Sequence, residues 1–251
     1  MRNEQQEGFI ANVRKALGRG PVDERRPHQD LFPEKPGPEI LERLEIIGSR
    51  TREERLHLLD RLMAEAVPLN LKVFPVETAE EAGETIATLI SEKEPEWGGR
   101  KQVVAWEHPL IQGLGIEDRL RALDVPLYIT SRDRRAEIRR LVTGSYIGIT
   151  SADYCVAATG TLVMKTRPGH ARSVSLVPSI HVAVIELLQI VADLKELYTL
   201  LAWDPRERAE GLTNCLTFIS GPSKTGDIEL VMVHGAHGPR ELYLIVITGE
   251  H

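Results

Sequence analysis

Between Leu71 and Leu141 short apolar runs alternate with amphipathic stretches, and this rhythm constrains the fold more than any other feature of the chain. Leu71–Val76, Gln102–Trp106 and Leu127–Thr130 have the length and bulky apolar content of buried strands. Ala79–Ser91, Ile116–Leu123 and Arg132–Leu141 repeat apolar residues at helical spacing. Strand and helix in regular succession predict βαβ crossovers around a parallel sheet. From Tyr146 onward the pattern shifts to short strands at Tyr146–Thr150, Tyr154–Ala157, Leu162–Lys165, Ser173–Val177 and His181–Ile185. A helix over Asp193–Ala202 and strands at Leu216–Ser220, Glu229–Val233 and Tyr243–Ile247 complete the series. The expected fold class is α/β, with one mixed sheet flanked by helices and room for a smaller β-rich lobe.

Ahead of this body, Phe9, Ile10, Val13, Ala16 and Leu17 mark one face of a helix over residues 3–18, which Gly18 and Gly20 end. Pro21, Pro27, Pro33, Pro36 and Pro38 then stand among charged residues, the composition of an extended linker. Residues 1–38 therefore read as a helical arm with a linker, and residues 39–251 as the main domain. The arm's apolar stripe suits either its own domain or a groove on another protein. Helical spacing returns over 39–67 with a break at Gly48 and Ser49, and Thr51 with Glu54 forms a capping box for the second part.

The 251 residues carry 37 acidic and 31 basic side chains, a net charge of -6, so no overall positive field gathers nucleic acid or anionic lipid. Arg132, Arg134, Arg135, Arg139 and Arg140 read as a solvated helix face or an anion-binding patch. No apolar run reaches the roughly 18–20 residues that span a bilayer, and the polar start MRNEQQEGFI lacks a secretory pattern, so a cytoplasmic location is expected. Cys155 and Cys215 are too few for a disulfide scaffold or a four-cysteine iron–sulfur site. Both read as small buried apolar residues. Neither a GxGxxG after a strand nor a GxxxxGK[ST] loop occurs, which removes the commonest nucleotide-binding readings.

The densest polar chemistry lies in FISGPSKTGDIELVMVHGAHGPR, Phe218–Arg240. Gly221, Pro222, Ser223, Lys224 and Thr225 follow a strand and offer two hydroxyls, a cation and closely approachable backbone, as a carboxylate or anion cradle would. A glycine–proline turn whose hydroxyls bond its own backbone has the same composition. Asp227 and Glu229 would share one face of a strand, able to share a proton, hold a cation or pair with Arg240. His234, His237, Gly238 and Arg240 follow; two nearby imidazoles invite a metal, but no cysteine completes a set, and the expectation is no metal site. A second cluster, SADYCVAATG and its sequel, places Thr159 and Gly160 in a hairpin turn, with Arg172, Ser173 and His181 beyond. Arg172 suits either a carboxylate or phosphate fork or a structural ion pair.

These clusters carry a likeness. GITSADYCVAATGTLVM, RSVSLVPSIHV at Arg172–Val182, GPSKTGDIE at Gly221–Glu229 and HGPREL at His237–Leu242 together resemble the lactate-utilization (LUD) domain family, over essentially the whole chain. RKALGRG at Arg14–Gly20 resembles the opening of that family's C-type members. The resemblance implies a fold similar to the sugar-phosphate isomerase, glucosamine-6-phosphate deaminase and CoA-transferase group. It also implies a place in the oxidation of L-lactate to pyruvate beside an iron–sulfur subunit and a cysteine-rich subunit, with the clusters in those partners and no cofactor here. In one respect the chain departs: where the family usually has Ala-Glu-Thr-Gly, it has Ala157, Ala158, Thr159 and Gly160, without the carboxylate.

The expectation is thus an accessory, partner-dependent subunit with a small-carboxylate pocket in the 218–240 loops and no catalytic residue assignable from sequence. A stand-alone enzyme acting on a carboxylate, CoA ester or sugar phosphate in the same crevice is the alternative, and a pure scaffold a third reading.

Overall fold

Six strands pair side by side, all in parallel, in the order β1-β12-β7-β4-β2-β3. They are β1 (Leu71–Val76), β2 (Val103–Trp106), β3 (Leu127–Thr130), β4 (Ile147–Ser151), β7 (Ile180–Glu186) and β12 (Glu241–Ile247). Between β4 and β7 the chain leaves to build β5 (Tyr154–Val156) and β6 (Thr161–Lys165). With β8 (Ile190–Val191) and β9 (Leu216–Ile219) these make a second, four-stranded sheet, β8-β5-β6-β9. β10 (Lys224–Thr225) and β11 (Val233–His234) form a small antiparallel ladder. The computed structural model describes residues 4–16, 18, 35–96, 98–131, 137–211, 213–225, 233–235 and 237–249.

The helices are α1 (Glu4–Ala16), α2 (Pro38–Ser49), α3 (Arg52–Leu69), α4 (Ala79–Glu92), α5 (Pro109–Gln112) and α6 (Ile116–Ala122). They continue as α7 (Ile138–Gly144), α8 (Ser173–Leu176), α9 (Leu194–Trp203) and α10 (Pro205–Glu210). Met1–Leu41 is one compact unit and Glu42–His251 another. In the first, α1 exposes Phe9, Ile10 and Val13. No helix among the described residues is long and apolar enough to cross a membrane.

Local sequence explains most boundaries. Thr51 accepts the Glu54 N–H while the Glu54 carboxylate takes the Thr51 N–H at 2.7 Å, the expected capping box of α3. The central strands β2, β4 and β7 are buried almost throughout, as strands covered on both faces must be. A smaller core of Ile47, Val156, Val163, Val191, Leu197 and Leu200 joins the second sheet to α2 and α9.

Two expectations need correction. The strands do not form one mixed sheet: the main sheet is wholly parallel, and the antiparallel pairs β5–β6 and β6–β9 sit in the second sheet. The tight 3-10 turn Ala157–Thr159 joins β5 directly to β6, a connection too short for parallel strands. Ser173–Val177, expected as a strand, is the helical turn α8. β4 already has β2 on one side and β7 on the other, so this segment finds no edge to pair with and instead buries Val174 against the face of β4. α7 begins at Ile138, and residues 132–136 of the helix expected over Arg132–Leu141 lie outside the described residues. Most of the expected strand at Glu229–Val233 lies outside them too.

That α8 contact depends on Gly148, where a Cβ would stand 1.9 Å from the Val174 carbonyl oxygen. Gly148→Ala should therefore cost about 2–3 kcal/mol in urea unfolding by overpacking. Gly48→Ala, in α2 with nothing within 4 Å of the new methyl, should be neutral or gain about 0.5–1 kcal/mol.

Candidate functional site

Because all six main strands run one way, their carboxyl ends share one edge, the edge at which open α/β sheets take ligands where strand order reverses. β2 is followed on one side by β3, whereas its other neighbour, β4, leads on to β7 and β12 on the far side. The reversal thus lies between β2 and β4, and the segments leaving them are Glu107–Pro109 and Ala152–Asp153.

Here the loop from β6 comes back over the edge. Thr130 Oγ1 donates to the Gly169 carbonyl at 2.6 Å, Trp106 Nε1 donates to the Ala171 carbonyl at 2.9 Å, and Thr213 Oγ1 donates to the Thr166 carbonyl at 2.7 Å. Gly169 has φ +83°, and a Cβ there would press on Glu107, so glycine suits this crossing. Ser131, Ile138, Thr166, Arg167, His170 and Asn214 are among the residues lining a cleft of about 300 Å³.

The His170 ring stacks on Trp106, with centroids 4.5 Å apart and planes 5° apart, and lies 5.3 Å from the His108 ring. His170 Nε2 is 3.2 Å from the Glu107 carbonyl oxygen, which can only accept, so the ring proton sits on Nε2. Nδ1 is then an acceptor, and it is buried with no partner among the described residues. Thr166 Oγ1, on the same cleft, is likewise buried and unpartnered. His108 Nδ1 accepts the Leu110 N–H at 3.2 Å as the cap of α5, which puts its proton on Nε2. Burial, then the neighbouring His170, holds His108 down at about 4, and burial followed by Arg167 lowers His170 as well. Both rings are neutral at pH 7.

Arg167 is locked from behind, Nη1 on Asp153 at 2.5 Å and Nε and Nη2 on Glu210. Burial alone would lower this guanidinium, but Glu210 and Asp153 overrule it and hold it above its usual value. The Arg167 hydrogen bond brings Glu210 down to about 2, helped by Lys165. Lys165 itself is buried, with Glu207 at 2.5 Å and Glu210 at 2.6 Å. Arg172 is exposed beside the cleft, and its Nη1 meets Cys215 Sγ at 3.3 Å, next to Asn214.

The residues singled out from sequence divide between the two ends of the sheet. Thr159, Gly160, Gly221, Pro222, Ser223 and Lys224 gather round the carboxyl terminus of α3: Gly160 and Gly221 lie against Leu69, and Lys224 Nζ is 3.5 Å from the Leu69 carbonyl oxygen. Thr159, Thr161 and Ser220 hydroxyls form a chain with links of 2.8 and 2.7 Å. Ser223 accepts the His237 N–H at 3.2 Å and packs near Gly238. Thr225 pairs with Val233 through the backbone, and Asp227 and Glu229 lie outside the described residues. Among the described residues Arg240 pairs with Glu96, at 2.8 Å. This group stands where β1 and β12 begin, the amino-terminal edge, and its described hydroxyls serve the protein itself. Arg172 is not among them. Cys155 is buried, its thiol pushed up to about 12 by burial, but Cys215, expected to be buried, is half-exposed in the loop just before β9. Ala158 donates its N–H to the Ala192 carbonyl at 3.1 Å.

His108 and His170 are absent from the residues singled out. The signal available was a His within two residues of a Pro in the segment leaving a strand, WEHP after β2 and RPGH after β6.

The fold is that of an open parallel α/β domain whose carboxyl edge is roofed by a loop of a second sheet. The chain belongs to the LUD domain family, whose pattern matches residues 59–247. Lactate utilization protein C of Halalkalibacterium halodurans is 27% identical over 97% of this chain and 98% of its own length. The protein of that name from Shouchella clausii is 28% identical over the same shares. A solved DUF162 family protein from Deinococcus radiodurans matches with a TM-score of 0.52 at 22% identity, over 77% of this chain and 98% of that one.

Titration of the histidines gives a test. His108 at about 4, His181 at about 3 by burial, and the lowered His170 bind fewer protons folded than unfolded between pH 6.5 and 4. Stability should fall as pH drops through that window, by at most about 1.4 kcal/mol per pH unit for each histidine. His108→Asn, which keeps a capping acceptor for α5, should remove one histidine's share of the slope in urea unfolding at pH 7, 6 and 5.

Proposed function

We propose that this protein serves lactate utilization as a cytoplasmic, partner-dependent subunit that binds L-lactate or pyruvate in the cleft past the end of β3, beneath the 166–171 loop. The observation carrying this reading is the pair of buried polar atoms on one cleft, His170 Nδ1 and Thr166 Oγ1, that have no partner among the described residues, since buried polar groups call for partners. A 2-hydroxy acid offers a hydroxyl to donate to His170 Nδ1, and its carboxylate suits the exposed Arg172 fork. The name carried by the near full-length relatives supports the same substrate.

Oxidising lactate to pyruvate removes two electrons and two protons. His170 Nδ1 would take the hydroxyl proton as the O–H bond breaks, and the hydrogen of the C2–H bond with its electron pair would pass to a redox centre of the partner subunits, an iron–sulfur subunit and a cysteine-rich one. This chain's own cysteines do not suit a cluster, which takes several thiolates: Cys155 is fully buried with a raised thiol. A fold relationship to the sugar-phosphate isomerase and CoA-transferase group is part of the same proposal.

The paired neutral imidazoles also favour a second reading, a stand-alone enzyme using them for acid–base work on a carboxylate. Calorimetry with L-lactate and pyruvate should show binding to the isolated chain, weakened at least about tenfold by Arg172→Gln and by His170→Phe, which keeps the stack on Trp106. Pyruvate formation by a lactate-oxidising preparation should stop when this chain is withheld and return when it is added. Unchanged pyruvate formation without it would refute the proposal, and turnover of 2-hydroxy acids by the isolated chain would establish the second reading.

A further inference from the structure

A second cleft opens on the same edge over the ends of β7 and β12, about 400 Å³ in volume and lined by three arginines, Arg50, Arg52 and Arg55, one carboxylate, Glu186, and the leucines Leu187 and Leu188 among others. Its arginines differ in what they already hold. Arg50 makes a two-pronged pair with Glu196, Nη1 to Oε2 at 2.9 Å and Nη2 to Oε1. Arg52 and Arg55, one helical turn apart on α3, reach only backbone carbonyls, those of Thr248 and Leu188, each at 3.5 Å. Neither has a carboxylate within ion-pair distance among the described residues. The acidic groups close by are engaged: Glu54 caps Thr51, Glu186 accepts the Gln189 N–H, and Glu196 is spent on Arg50.

We propose that this cleft binds the phosphate group of a small phosphorylated organic molecule, held by Arg52 and Arg55. Two guanidiniums without a carboxylate partner among the described residues match a dianion, whereas a single fork suffices for a carboxylate, as Glu196 on Arg50 shows. The volume exceeds that of a bare phosphate and falls in the range of small-molecule pockets. Leu187, buried, and Leu188, 62% exposed, supply an apolar wall for the rest of the ligand. Burial, then the Arg50 charge, holds Arg55 below its ordinary value, an electrostatic strain that an anion relieves. The site shares no lining residue with the His170 cleft, and it does not rest on the lactate reading.

Calorimetry of the full chain with inorganic phosphate and pyrophosphate, at low ionic strength, tests this. Pyrophosphate should bind one to one, lose at least about tenfold in affinity in Arg52→Gln and in the double variant with Arg55→Gln, and weaken as salt rises. Arg52 is exposed, so its single variant keeps the fold. L-lactate should not compete. Failure of either anion to bind wild type at millimolar concentration, unchanged affinity in the double variant, or displacement by L-lactate would each overturn the proposal.

Discussion

Parallel pairing of six strands is the constraint from which the rest of this molecule follows. Parallel neighbours cannot be joined by hairpins, so each return must pass over a face, and the returns bury the sheet on both sides. All carboxyl ends then share one edge, and the loops there are free of covering duty. Both clefts open on that edge, one past the end of β3 beneath the 166–171 loop and one over β7 and β12.

The second sheet supplies what a bare parallel sheet lacks, a roof fixed by charge as well as by packing. Lys165 and Arg167, at and just beyond the end of β6, are tied to Asp153, Glu207 and Glu210. Removing one partner of so enclosed a network strands the others, which costs several kcal/mol, while the intact network adds little net stability. Its service is positional. Five charges hold the backbone of 166–171 in one place, and the stack of His170 on Trp106 then fixes where a lone pair points.

Much of this was legible in the chain. β1, α4 and β3 lie within a residue of where apolar spacing puts them, because each is a clear apolar or helical pattern that leaves few alternatives. α8 was not legible: Ser-Val-Ser-Leu carries strand-like residues, and only the occupied neighbours of β4 deny it a partner. The site was half legible. Turn chemistry in GPSKTGD is the same whether a loop cradles a ligand or closes on itself, and which edge a loop occupies depends on strand order, which single-sequence patterns do not contain. Arg172 was visible as a fork, but His170 acquires its meaning only from Trp106 and Glu107, some sixty residues earlier in the chain.

β12 has a bearing on how the protein comes to be. It slots between β1 and β7, so Leu71 faces Leu242 and Ile180 faces Glu241 across adjacent strands. Until residues near 245 have been synthesised, β1 has no neighbour, and an apolar trench lies open in the middle of the sheet. A nascent chain emerging from the ribosome can assemble β2, β3 and β4 early, yet must keep that trench from capturing another strand until the last one arrives. Closing it is a long-range event, and slow closure by late strands is the characteristic burden of folds with high contact order.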